Sequence, residues 1–152
     1  MNPVRETPEP VLEAIWTLWS RMGRQPRMRM VTGSMQPLIQ IGDQLLIEPL
    51  PKNIHRGDVV IYRRREQLIA HRLVSIEGER FILKGDNVHH FDPPLPRERI
   101  IGRVLGIEGG ADYTAMRWRL LNSLIALFSK CRALYQTFPR FKKSDFFKKS
   151  DF

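Results

Sequence analysis

The chain has 152 residues, of which 42% are hydrophobic, and it carries a formal net charge of +9 and a single cysteine. This length fits one domain with its own core and short appendages, and the lone Cys131 excludes a disulfide within the chain. No stretch approaches the roughly 18 uninterrupted apolar residues of a transmembrane helix, and the first thirty residues lack the continuous apolar region of a secretory signal. We therefore expect a protein that is cytoplasmic or peripherally attached to a membrane.

The charge is concentrated toward the carboxyl end. Residues 31–112 hold eleven basic and eleven acidic side chains, whereas residues 113–152 hold nine basic and two acidic ones. A basic segment beside a neutral core indicates contact with an anionic surface, either phospholipid headgroups or nucleic acid.

Residues 1–30 are predicted to form a loose arm and one amphipathic helix. Between residues 10 and 22 the apolar side chains recur at spacings of three and four, which is the period of a helix. Its apolar face fits either packing on the core or contact with a membrane interface through Trp16 and Trp19. Residues 23–30 are expected to be a basic connector.

Residues 31–110 are predicted to form the core, built from short strands. Apolar runs rich in Ile, Leu and Val alternate with turns that contain Pro or Gly, and Gly78 marks the turn of a hairpin. The predicted strands are Gln44–Glu48, Asp58–Tyr62, Leu68–Ile76, Arg80–Lys84 and Ile100–Ile107. These strands, with no helix between them, predict a mainly β fold: a small coiled β-sheet or barrel flanked by amphipathic helices.

Residues 111–152 are predicted to form a second amphipathic helix, over residues 113–138, and a tail. The apolar face of this helix is wide and its basic residues lie largely off that face, which is typical of a helix in a membrane interface. Burial against the first helix or a second copy of the chain is the alternative. In the tail, six residues (141–146) are repeated at 147–152, and we expect this repeat to be disordered.

A lone serine, Ser34, lies on a predicted bend in residues 31–43. The sequence of this segment is Val-Thr-Gly-Ser-Met-Gln-Pro-Leu-Ile-Gln-Ile-Gly-Asp. Gly33 permits a sharp or left-handed backbone, and Pro37 prevents a helix from continuing through the segment. A serine hydroxyl is a poor nucleophile at neutral pH and needs a base within hydrogen-bond reach. Because Gly-Ser-Met is common in loops, Ser34 alone does not define a site.

Three further motifs follow the serine in order. They are Arg56-Gly57-Asp58-Val59-Val60, then His71-Arg72-Leu73-Val74, then Lys84-Gly85-Asp86-Asn87 with Ile101-Gly102-Arg103-Val104. Together with the serine segment they resemble the signal-peptidase and LexA-like serine peptidase clan, and most of all its signal peptidase branch. The resemblance covers residues 31 to about 107, and it implies the same mainly β fold.

The resemblance also implies the roles of individual residues. Bacterial type I signal peptidases and LexA-like proteins have a lysine where this chain has His71, and the archaeal and endoplasmic-reticulum types have a histidine. Ser34 would then be the nucleophile, His71 the base and Asp92 the group that orients His71, with Asp86 as the rival for that last role. The oxyanion hole would combine the Ser34 backbone N–H with the Thr32 hydroxyl.

We therefore predict a serine endopeptidase that cleaves a leader or signal peptide. The resemblance implies an extended substrate added beside a sheet edge, with small residues at the cleavage position. We expect no metal or cofactor, because His89 and His90 beside Asp86 and Asp92 have no second spaced cluster to complete a metal site. The expected partners are a peptide or protein substrate and, through peripheral contact, an anionic membrane; nucleic acid is not expected.

Three alternatives to this peptidase remain. A LexA-like self-cleaving regulator would need a DNA-binding domain before the core, and the chain contains no Ala-Gly dipeptide, which is the self-cleavage bond of that family. A basic nucleic-acid-binding module would bind with a steep salt dependence that Ser34→Ala leaves unchanged. A catalytically inactive peptide-binding domain would keep the groove without forming an acyl-enzyme.

Overall fold

The computed structural model describes residues 9–65 and 67–137 of the chain. Within these residues there are two α-helices, α1 (Glu9–Arg21) and α2 (Met116–Thr137). The strands are β1 (Arg27–Arg29), β2 (Gln44–Pro49), β3 (Val59–Arg64), β4 (Gln67–Glu77), β5 (Arg80–Lys84), β6 (Leu95–Pro96) and β7 (Ile100–Ile107), with a 3₁₀ turn at Arg97–Arg99. Most of the predicted arm and the repeated tail lie outside the described residues.

The strands form one seven-stranded sheet in the order β1-β2-β7-β3-β4-β5-β6, and every neighbouring pair is antiparallel. The prediction of a mainly β fold is confirmed. The sheet is open, because β1 and β6 are its two edges and no ladder joins them in the part of the chain that the structure describes. The barrel alternative is therefore wrong.

Alternation along β3 explains how the core is divided. Val59 and Ile61 belong to one buried cluster, with Met35, Ile39 and α1, while Val60 and Tyr62 belong to a second cluster. Successive side chains of a strand point to opposite faces of a sheet, and β3 is buried on both faces because a separate apolar cluster packs on each one. The serine segment is thereby packed against the sheet through Met35 and Ile39.

The sequence did not predict β1 and β6. The connector expected at residues 23–30 contains β1, where Met28 pairs with Leu45 between two arginines; three residues are too few to display a strand period. Leu95–Pro96 pairs with β5 inside a proline-rich stretch, and proline is tolerated there because β6 is an edge strand.

Both predicted helices are present, within a few residues of the expected limits. Trp16 of α1 is only 4% exposed and belongs to the core, whereas Trp19 remains 38% exposed. The first helix therefore packs on the core, which was one of the two predicted roles. Among the described residues, neither helix is both long enough and apolar enough to cross a bilayer.

Candidate active site

The serine segment is anchored by its apolar residues and presents Ser34 on a turn. Met35 and Ile39 are fully buried on either side of Pro37, while Ser34 itself is half-buried. Its hydroxyl lies 3.2 Å from the hydroxyl of Thr32. A side chain that directly precedes a buried anchor on a short turn has a fixed position and remains accessible, as a nucleophile must be.

His71 lies in the middle of β4, opposite Val60 on β3, and its side chain is buried. Its Nδ1 lies 2.5 Å from Oδ2 of Asp92, which is also buried. The backbone N–H of Asp92 donates to the carbonyl of Leu83 at 2.9 Å, so the carboxylate is fixed to the end of β5. A carboxylate on Nδ1 selects the tautomer that leaves Nε2 free to accept a proton.

Asp86 has a different partner. Its two carboxylate oxygens accept from Nε and Nη2 of Arg72 at 2.8 and 2.6 Å. Arg72 is completely buried and directly follows His71, so the two side chains point to opposite faces of β4. A buried arginine needs a carboxylate in this bidentate geometry. The structure therefore places Asp92 against His71 and Asp86 against Arg72.

A cleft of about 670 Å³ brings the candidate residues to one place. Thr32, Ser34, His71 and Asp92 line it, together with apolar side chains from β1, β4 and the segment after β5. The apolar residues of this lining are Met28, Met30, Val31, Leu68, Ile69, Ala70 and Val88. The basic residues of the lining are Arg29, Arg63 and Arg64. Most of the exposed lining surface is nevertheless apolar, and an apolar groove into which polar groups converge is typical of a ligand site.

Gly85 allows the serine segment and the histidine to approach each other. A Cβ at this position would lie 2.8 Å from the carbonyl oxygen of Ser34 and 2.9 Å from Nε2 of His71. By geometry, these two atoms are therefore no more than 5.7 Å apart. Nε2, the imidazole nitrogen that does not contact Asp92, therefore lies close to the backbone of the segment that carries the serine.

Tyr62 lies beside the His71–Asp92 pair. Its ring centroid is 6.3 Å from that of His71, and its hydroxyl is buried beside the Asp92 carboxylate. Burial, followed by the nearby Asp92 carboxylate, raises the pKa of the Tyr62 hydroxyl well above its ordinary value. Tyr62 therefore stays neutral throughout the pH range in which a histidine titrates.

His89 and His90 are exposed on the loop that leads to Asp92, and His90 is among the residues that line the cleft. Within residues 9–65 and 67–137, no group of three or more His, Cys, Asp or Glu side chains is arranged to hold a metal ion. The site residues are instead a hydroxyl, an imidazole and a carboxylate.

A mainly β core with a hydroxyl, an imidazole and a carboxylate at one cleft agrees with the signal-peptidase and LexA-like peptidase clan. Residues 17–105 match the family model described as Peptidase S24-like, which is more than half of the chain. The chain belongs to the Peptidase S24-like family, and the clan resemblance noted in the sequence is confirmed.

Two curated proteins give the comparison more detail. The chain is 30% identical over 120 residues to the signal peptidase complex catalytic subunit SEC11 of Ogataea parapolymorpha, which covers 61% of this chain and 68% of that protein. It is 27% identical over 125 residues to the protein of the same name from Plasmodium falciparum, which covers 67% of each chain. The resemblance to the endoplasmic-reticulum type of signal peptidase is thus also confirmed.

Three residues near the site had no predicted role: Arg72, Tyr62 and Asn122. Arg72 could have been found, because an arginine inside an apolar strand requires a buried counter-charge. Tyr62 could have been placed on the His71 face of the sheet only from the strand register. Asn122 accepts a hydrogen bond from Arg72 across 50 positions of sequence, and no local pattern signals such a contact.

Proposed function

We propose that this protein is a serine endopeptidase in which Ser34 is the nucleophile, His71 the general base and Asp92 the group that orients His71. The observation that carries the proposal is the 2.5 Å contact between His71 Nδ1 and Asp92, made at the same cleft that contains Ser34. Because Nδ1 donates to the carboxylate, the lone pair of Nε2 is available to a serine hydroxyl.

Acylation begins when the Ser34 side chain turns from Thr32 toward Nε2 of His71. The imidazole takes the hydroxyl proton as Oγ attacks the peptide carbonyl, and Asp92 stabilises the imidazolium that forms. Collapse of the tetrahedral intermediate breaks the C–N bond, and His71 returns the proton to the leaving amine. Water, deprotonated by the same imidazole, then hydrolyses the ester and restores Ser34.

Thr32 and the Ser34 backbone N–H are the proposed oxyanion donors. The Thr32 hydroxyl lies 3.2 Å from the Ser34 hydroxyl, so it is within reach of an oxygen that develops on the attacked carbonyl. Once Ser34 Oγ is bonded to the substrate, the Thr32 hydroxyl is released to donate to the oxyanion.

The proposed substrate is a leader or signal peptide. The two curated relatives are named as catalytic subunits of a signal peptidase complex, and the apolar surface of the cleft can receive an extended peptide segment. The family resemblance further implies that the substrate has small residues at its cleavage position.

The test is mass spectrometry of leader peptides incubated with the wild-type chain, Ser34→Ala and His71→Ala. We expect cleavage at one bond by the wild type and a loss of about 10³-fold or more in both variants. Equal cleavage by all three proteins would contradict the mechanism. A wild-type chain that binds the peptides and leaves them intact would instead be a peptide-binding domain.

We also propose that α2 contacts an anionic membrane. Its outer face carries Met116, Leu120, Leu124, Leu127 and Phe128, spaced by three, four or one residues, and Met116 and Phe128 are 78% and 69% exposed. An exposed apolar stripe with neighbouring basic side chains, here including the exposed Arg117 and Arg119, is typical of a helix that lies in a membrane interface.

Vesicle flotation tests the membrane contact. With phosphatidylcholine vesicles that contain phosphatidylserine, we expect the wild type to float and Phe128→Glu to float much less. Ile41→Glu is the matched control, since Ile41 is 61% exposed in the turn before β2 rather than on α2, and it receives the same charge. Equal flotation of both variants would remove α2 from this role.

A further inference from the structure

Arg72 connects three separate parts of the molecule. Its Nε and Nη2 donate to Asp86, while Nη1 donates to the carbonyl of Gly57 at 2.9 Å and to Oδ1 of Asn122 at 2.8 Å. Because the guanidinium is fully buried, water does not replace an acceptor that is lost. The position of this cation therefore depends on all three partners.

The turn that contains Asp86 also holds the serine segment. The backbone N–H of Asn87 donates to the carbonyl of Ser34 at 2.8 Å, and its side-chain amide donates to the carbonyl of Gly33 at 3.1 Å. The preceding Gly85 packs against Nε2 of His71. Residues 85–87 therefore set the position of Ser34 relative to the imidazole.

Asn122 reaches Arg72 from α2, a helix beyond the residues matched by the family model. Its side chain is buried. The α2 backbone at Asn122 and Ser123 lies so close to Gly57 that a Cβ on this glycine would be 2.8 Å from it. This contact fixes how closely α2 approaches the turn at Gly57 and how the helix is rotated about its axis. The Asn122 amide oxygen is therefore held at a defined position next to Arg72.

We propose that Asn122 is a positioning residue of the peptidase site. By accepting from Arg72 Nη1, it holds the guanidinium in the orientation that donates to Asp86. Through Asp86 it fixes the turn of residues 85–87, which binds the Ser34 carbonyl. The C-terminal helix is accordingly part of the catalytic unit. The expected effect of Asn122 on kcat rests on the proposed function. Its expected effect on the position of the Ser34 segment rests on the hydrogen-bond network alone.

The kinetic test compares Asn122→Leu, which removes the acceptor at similar volume, with Asn122→Asp, which keeps one. We expect kcat to fall about 10- to 100-fold in the leucine variant, since small displacements of a nucleophile have effects of this size. KM should change less than about twofold, because Asn122 does not line the cleft. The aspartate variant should keep most of the wild-type kcat.

Ser123→Ala is the matched control on the neighbouring position. Ser123 is exposed and its hydroxyl bonds mainly to the helix carbonyl of Arg119, so this variant should behave as the wild type. Wild-type kcat in Asn122→Leu would overturn the proposal, as would equal losses in the leucine and aspartate variants. If the leucine variant does not fold, Asn122→Ala replaces it, and equal kcat values for the alanine and aspartate variants would likewise overturn the proposal.

Amide hydrogen exchange separates this inference from the proposed peptidase activity. The Asn87 N–H, which donates to Ser34, should lose protection in Asn122→Leu and keep it in Asn122→Asp and Ser123→Ala. This readout requires no substrate. If wild-type peptide cleavage is absent and the exchange pattern is as expected, the function fails and the positioning network stands; unchanged Asn87 protection in the leucine variant overturns the network itself.

Discussion

Oδ2 of Asp92 lies 2.5 Å from Nδ1 of His71, and the carboxylate of Asp86, only six residues earlier, is bonded to Arg72 on the other face of β4. The two aspartates therefore serve different purposes. One is next to the imidazole at the cleft, and the other neutralises a buried cation.

This difference predicts opposite behaviour for the two asparagine variants. Asp92→Asn should lower kcat by about 10³- to 10⁴-fold because the amide favours the wrong imidazole tautomer. Asp86→Asn should mainly reduce stability, by about 3–5 kcal/mol, because it leaves a buried arginine without its counter-charge. Its kcat should fall by only about 10- to 100-fold, because Asp86 positions Ser34 without touching the imidazole. Urea unfolding and steady-state cleavage, measured on both variants, check the assignment. A larger stability loss in Asp92→Asn than in Asp86→Asn would reverse it.

The residues that the structure collects at this cleft could be named from the sequence because they lie in short local motifs, and their catalytic roles stay predictions. Ser34, His71 and Asp92 each follow from motif order and the family resemblance, and the strands that carry them follow from apolar runs. The Arg72–Asn122 contact could not be predicted, since it joins a strand to a helix 50 positions away and depends on helix rotation. The three-residue strand β1 was missed because its single apolar residue shows no period.

Gly85 is predicted to tolerate no side chain. In Gly85→Ala the new Cβ would meet the Ser34 carbonyl, the Val88 side chain and the His71 ring at 2.8–2.9 Å, so these groups must move apart. We expect a stability loss of about 1–3 kcal/mol and a large fall in cleavage rate.

Gly110→Ala is the control for this substitution, because the nearest atom to its Cβ would be 3.4 Å away, on Ile107. Thermal unfolding and cleavage by the two variants test the difference. Wild-type kinetics in Gly85→Ala would mean that the approach of Ser34 to His71 is not needed.

Trp16 is predicted to stabilise the core far more than Trp19 does. Trp16→Ala should lower the free energy of unfolding by about 3–5 kcal/mol, the range for removal of a large buried side chain. Trp19→Ala should cost less than half as much, because that ring is partly exposed. Similar losses in the two variants, measured by urea denaturation, would be inconsistent with α1 packing through Trp16.

Tyr113 is predicted to make the free energy of unfolding depend on pH in the alkaline range. Burial raises the pKa of the Tyr113 hydroxyl to about 12, above the ordinary value of about 10 that applies to the unfolded chain. Between these values the unfolded chain loses a proton that the folded chain keeps. The free energy of unfolding should therefore fall as the pH rises from about 10 to about 12.

Tyr113→Phe should remove this contribution to the pH dependence. The Tyr113 hydroxyl has no hydrogen-bond partner among the described residues, so the variant should be as stable as the wild type near neutral pH. The measurement is urea denaturation at neutral pH and at about pH 11. An identical fall in stability for both proteins would assign the alkaline transition to other groups.

Trp16 also bears on where this folding unit ends. The family match starts at residue 17, one position after the indole ring that fills the core, and stops at residue 105, before the helix that supplies Asn122. A fragment trimmed to those limits would lack the buried ring of Trp16 and the Asn122 oxygen that accepts a hydrogen bond from Arg72. Expression boundaries for this protein are better chosen outside both helices than at the ends of the shared motifs.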